Sequence, residues 1–176
     1  MGSLFHRHTL MIVTMGLVIS LLFSASPVAA IAIEVVTRPI EGWAFIPGTT
    51  NENPTPLTLA VTTEGSPWTV SVKDALENGK MPSSAGRLLE YNTVTGWVNT
   101  GSVIAGNMTV VGESSAGVTG TTATLGSIDQ TIETGSKQVT GKQMAITLRQ
   151  PITYTDPYLT NGNTYRVVIT FTVVQQ

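Results

Sequence analysis

The strongest constraint on this chain is a two-residue rhythm of hydrophobic side chains. Tyr165, Val167, Ile169, Phe171 and Val173 fall on one side of an extended backbone, with Thr164, Arg166, Thr170 and Thr172 mostly on the other. Leu57, Leu59 and Val61 alternate likewise, and so do Trp68, Val70 and Val72. Met144, Ile146 and Leu148 make another such face, interleaved with Gln143, Ala145, Thr147 and Arg149. This period belongs to strands with one face buried and the other wet. Shorter strands are predicted over 31–36, 88–91 and 108–111. Turn chemistry separates them at Asn51-Glu52-Asn53-Pro54, Asn78-Gly79-Lys80, Asp156-Pro157 and Asn161-Gly162-Asn163. Glu64-Gly65-Ser66-Pro67 reads as a hairpin connection. Only 73–79 and 85–91 have room for a turn or two of helix. The expected fold is all-β, an antiparallel β-sandwich of Ig-like or jelly-roll-like kind.

Threonine reinforces the pattern: 26 of its 28 copies follow residue 30. Its branched Cβ suits the pleat while its hydroxyl stays solvated. The least patterned stretch is 112–136, where five glycines and six threonines occupy 25 residues. It reads as a Gly/Thr-rich loop region, either a long exposed loop or a weak, mobile hairpin, or else a contact surface toward a neighbouring subunit or ligand.

Ahead of this body, residues 1–30 have the form of a signal peptide. His6, Arg7 and His8 precede an apolar run from Leu10 to Phe23, and small residues with Pro27 follow up to Ala30. Cleavage frames fit after Ala30 or after Ala32. Cleavage after Ala30 leaves 146 of the 176 residues, one domain over 31–176, with eight basic and eleven acidic side chains. That chain contains neither histidine nor cysteine. Its side chains offer no disulfide, thiolate nucleophile, imidazole base, zinc site, haem or iron–sulfur centre. Its acidic balance gives no electrostatic footprint for nucleic acid. A secreted, cell-surface chain without a stable membrane anchor is expected, with no cofactor, no metal and no catalytic residues.

The remaining chemical signals are weaker. Eleven carboxylates include turn-borne Glu52, Glu64, Glu77 and Asp156, but no glycosidase motif frames any pair. Asp129 and Glu133 are close in sequence without the Asp-x-Asp-x-Asp run of a calcium loop. Asn107-Met108-Thr109 is an N-glycosylation sequon. Trp68 shares its strand phase with core valines, whereas Trp43 and Trp97 each follow a glycine and are candidates for stacking on glycans.

The segment 31–40 is the most informative. Ile31, Ile33, Val35 and Thr37 alternate at the new N-terminus, and a Pro/Gly-rich connection over 47–54 separates them from the next strand. Such a segment is either an edge strand of its own domain or a donor strand that completes the sheet of the next subunit. The donor contact is head-to-tail and propagates into an open filament.

Two stretches carry a resemblance. Ser66-Pro67-Trp68-Thr69-Val70-Ser71-Val72-Lys73 and the closing run from Gly162 to Val173 resemble the paired strands of WxL-type surface domains. That resemblance implies a non-catalytic β-sandwich that attaches to cell walls. Trp68 is followed here by Thr-Val in place of x-Leu. The layout is also similar to TasA-like and archaeal pilus subunits, whose N-terminal strand complements a neighbour. The leading expectation is therefore an extracellular fibre, pilus or sheath subunit that forms a homopolymer through 31–40. The alternative is a monomeric adhesion module for cell envelope or glycans.

Overall fold

The computed structural model describes residues 31–35, 43–159 and 162–176. Residues 1–30, read above as a signal peptide, residues 36–42 with Thr37 of the candidate donor strand, and 160–161 lie outside the described residues. The chain is an antiparallel β-sandwich. One sheet contains β1 (Ala32–Val35), β2 (Thr49–Glu52) and β3 (Leu57–Thr63). The facing sheet receives β4 (Trp68–Asp74), and β5 (Leu89–Asn92) and β6 (Gly96–Trp97) start a small third sheet. Then follow β7 (Thr109–Val111), β8 (Val118–Gly120), β9 (Thr122–Thr124) and β10 (Gln130–Gly135). The last strands are β11 (Val139–Ile152), β12 (Thr164–Arg166) and β13 (Ile169–Gln175).

The 14-residue β11 is the spine of the six-stranded sheet, ordered β1-β3-β11-β7-β9 with β2 also on β11. The opposing sheet runs β13-β4-β10-β8, and the third is β12-β5-β6. The alternation predicted for β3 and β4 is present: Leu57, Leu59 and Val61 meet Trp68, Val70 and Val72 in one buried core. Met144, Ile146 and Leu148 join them from β11, and Ile132 from β10. Trp68 is fully buried, and its indole Nε1–H donates to Lys137 O at 2.7 Å. The opposite strand has to be glycine there, because a Cβ on Gly135 would overlap the Trp68 ring.

Four local expectations are corrected. Glu64-Gly65-Ser66-Pro67 is not a hairpin: β3 and β4 belong to different sheets, so the segment crosses the sandwich. The helical candidates 73–79 and 85–91 contain the ends of β4 and β5, and the one described helical turn is a 3₁₀ turn at Pro82–Ser84. Pro82 fits its first position, where no N–H is needed. The region 112–136 is not a loop, since β8, β9 and β10 lie in it and β10 pairs with β4 in the middle of its sheet. Its threonines occupy exposed faces, as with Thr119, Thr122, Thr124, Thr131 and Thr134. The hydrophobic partners are too sparse for the rhythm to show. Finally, the single strand expected over 164–173 divides between two sheets, with Arg166 paired to Leu89 and Ile169 to Asp74.

Candidate functional site

Three surfaces compete for function. The first is the N-terminal edge. In this structure β1 lies antiparallel on β3 of its own chain, pairing Ala32 with Thr62, Ile33 with Val61, Glu34 with Ala60 and Val35 with Leu59. It is the outer strand of its sheet. Ile31 and Val35 are exposed, and only Ile33 packs against the core. None of the fully buried core residues comes from β1.

The second surface holds the tryptophans that are candidates for stacking. Neither ring is free. Trp43 sits 5.0 Å from Phe45, and both pack against the core. Trp97 meets Tyr91 edge-on at 5.2 Å, with Lys80 Nζ 5.2 Å and the Arg166 guanidinium 5.6 Å from its ring centre. Arg166 also covers Tyr91 at 4.5 Å and contacts Glu77 at 3.3 Å. Both cations thus pack against the Trp97 ring. Lys80 forms a fully buried ion pair with Asp74, and Asp74 accepts further bonds from the N–H groups of Leu76 and Gly86.

The Asn107 side chain braces the fold, for its Nδ2 donates to Leu125 O at 3.0 Å and to Ala85 O at 3.3 Å. Those bonds engage the atom that a glycan would modify. Asp129 and Glu133 do not share an oxygen site. Asp129 pairs at 3.0 Å with Lys73 on the surface, whereas Glu133 is fully buried. Among the described residues no group of three potential metal ligands comes together.

The third surface was missed by sequence reasoning. The loop after β11 presents Tyr154 and Tyr158, 85% and 84% exposed. Asp156 pins it by accepting from Ala105 N–H (2.8 Å), Thr153 N–H (2.7 Å) and the Thr153 hydroxyl (3.0 Å). Partial burial pushes the Asp156 carboxyl up, but these donors outweigh it and hold the group below its ordinary value. The Asp156-Pro157 turn is legible in the sequence, and the tyrosines that flank it are the signal that could have found this surface.

Glu133 is a further unexpected group. A bulge in β10 between Thr131 and Glu133 sends both Ile132 and Glu133 inward. Oε1 accepts from Glu113 N–H at 2.8 Å, and Oε2 has no partner. Burial, opposed by that bond and reinforced by the Glu113 carboxylate, raises its carboxyl to about 7. Glu113 in turn accepts from Ala145 N–H of β11 at 2.7 Å. The two glutamates thus join the facing sheets where the chain leaves β7 for β8. The crossing is tight, since a Cβ on Gly112 would collide with Ile132 O.

With the geometry in view, the class is plain: an antiparallel β-sandwich with one closed core and exposed edge strands. No protein-family model matches the chain, and neither do curated proteins or solved structures. No helix among the described residues is long and apolar enough to cross a membrane.

Proposed function

We propose that the chain is a secreted structural subunit that assembles into a cell-surface fibre, pilus or sheath by N-terminal strand complementation. One observation supports this reading above the others: the sandwich core is complete without β1, whose single inward contact is Ile33. Withdrawing β1 costs a short ladder and part of one isoleucine. The identical strand of a neighbour restores the same register on β3 with the same side chains. Exchange therefore loses no contact type, and because donor and acceptor are different surfaces it propagates head-to-tail. The lack of histidine and cysteine after residue 30 accords with an architectural role.

Negative-stain microscopy and sedimentation of the purified chain test this. Filaments are expected, and deletion of residues 31–40 should leave folded, soluble monomers. A chain that stays monomeric when concentrated, and unfolds on that deletion, keeps β1 for its own sheet and ends the proposal.

The adhesion alternative rests on the pinned, exposed Tyr154 and Tyr158, since rigid aromatic rings suit sugar faces. On this reading Tyr154→Ala with Tyr158→Ala abolishes retention on isolated cell-envelope polysaccharide without changing the fold. Unaltered retention excludes it.

A further inference from the structure

The outer strand β13 offers a second edge, in a different sheet from β1 though close beside it. Its hydrogen-bond phase follows from the two bonds that flank it. Ala75 N–H donates to Val168 O at 2.8 Å, and Gln176 N–H donates to Pro67 O at 3.0 Å. Both pairs continue the β13–β4 register, which runs from Ile169 opposite Asp74 to Gln175 opposite Trp68. Hydrogen-bonded pairs alternate along an antiparallel ladder. Residues 168, 170, 172, 174 and 176 therefore bond to β4, and Ile169, Phe171, Val173 and Gln175 turn their N–H and C=O groups outward. Among the described residues those groups pair with no strand, for β13 ends its sheet.

Proteins normally blunt such edges with charge, proline, bulges or shortness. The other outer strands obey this rule. β8 and β9 have three residues each, and β1 has four with Glu34 among them. β13 has seven residues, Ile-Thr-Phe-Thr-Val-Val-Gln, with no charge and no proline, and its Val174 is 51% exposed.

We infer that β13 pairs antiparallel with β13 of a second copy, about a two-fold axis at Thr172. This register sets Ile169 opposite the second copy's residue 175 and Phe171 opposite its residue 173. All four outward-turned residues then face outward-turned residues. Thr170 meets residue 174 and Thr172 meets its own counterpart, so no like charges oppose one another. The two four-stranded sheets join into one of eight strands. The interface is isologous and closes at two copies. Next to a head-to-tail fibre it is a lateral contact, and it does not depend on the fibre reading.

Analytical ultracentrifugation and residue-resolved amide exchange on the purified chain test it. Paired copies are expected, with the amides of Ile169, Phe171, Val173 and Gln175 protected at least tenfold over their exchange in the double variant Thr172→Lys/Val174→Lys. That variant places lysines opposite one another on a solvent-facing row and should separate the copies. The amides of Thr170, Thr172 and Val174 report whether the fold survives, because they bond to β4. Val173→Pro, which removes one outward donor, should weaken pairing as well. Deleting residues 31–40 should abolish filaments yet leave the pairs. Fast exchange of the four outward amides in the concentrated wild-type chain, or a single-chain mass, overturns the inference. Pairs that survive the double lysine variant overturn it too.

Discussion

β1 and β4 share a sequence rhythm but differ in what the molecule stakes on them. β4 lies between β13 and β10, and its inward residues Trp68, Val70, Val72 and Asp74 are all buried. β1 pairs with β3 alone and sends one half-buried isoleucine inward. Alternation states which side chains share a face. The number of neighbouring strands decides how dry that face becomes. An edge strand is thus separable in a way that a central strand is not, and the two proposed assembly surfaces, β1 and β13, are both edges.

The comparison breaks most violently at the centre. Gly135→Ala drives a methyl group into the Trp68 indole, whose atoms leave no space beside the backbone. The expected loss exceeds about 4 kcal/mol, beyond ordinary overpacking, and is measured by chemical denaturation. A cost near that of a surface substitution would show that the β4–β10 centre is as yielding as an edge.

Next comes the buried pair at the far end of β4. Lys80→Ala leaves the buried Asp74 carboxyl without its counter-ion and with only two backbone donors, which should cost about 3 kcal/mol. Lys80→Met with Asp74→Asn should recover most of that, since it removes both charges together. A single variant as stable as the wild type would mean that this end of β4 opens to water.

Glu133 sharpens the comparison through pH. Its carboxyl rises from the ordinary 4.5 to about 7 in the folded chain. Folding therefore favours the neutral acid, and the stabilisation is complete below pH 4.5 and lost as pH climbs through 7. The isosteric Glu133→Gln should be more stable than wild type by about 2 kcal/mol at pH 8 and should flatten the wild-type decline between pH 5 and 8. Parallel pH profiles for the two proteins would refute the burial argument.

What could be read from sequence follows the same divide. Trp68, Val70, Val72, Met144, Ile146 and Leu148 were legible as core because alternation survives intact in long central strands. The strands of 112–136 were not, for three-residue strands such as β8 and β9 are too short to establish a period. Glu133 was illegible for a different reason: a bulge put two consecutive residues inward, and no pattern of period two encodes that. Trp43 and Trp97 followed glycines and so looked exposed. Their coverings, Phe45 for one and Lys80, Tyr91 and Arg166 for the other, include residues distant in sequence. The partner strand of β1 was equally out of reach, because register on β3 is a tertiary fact.

The smallest expected effect lies on β1 and is the most discriminating. Ile33→Ala trims the only inward side chain of a strand whose other residues are exposed. Deep in the core a comparable truncation costs about 2–5 kcal/mol. At this half-buried edge the loss should be about 1 kcal/mol or less, read from denaturation of the monomer. Assembly should respond no more than the closed chain does, because each junction of a strand-exchanged filament replaces the chain's own β1–β3 contact one for one and the penalty falls equally on both states. Filament length at fixed concentration should therefore stay close to wild type while the monomer remains folded. If the monomer loses several kcal/mol, Ile33 belongs to the core after all, β1 is no longer separable, and the contrast with β4 disappears.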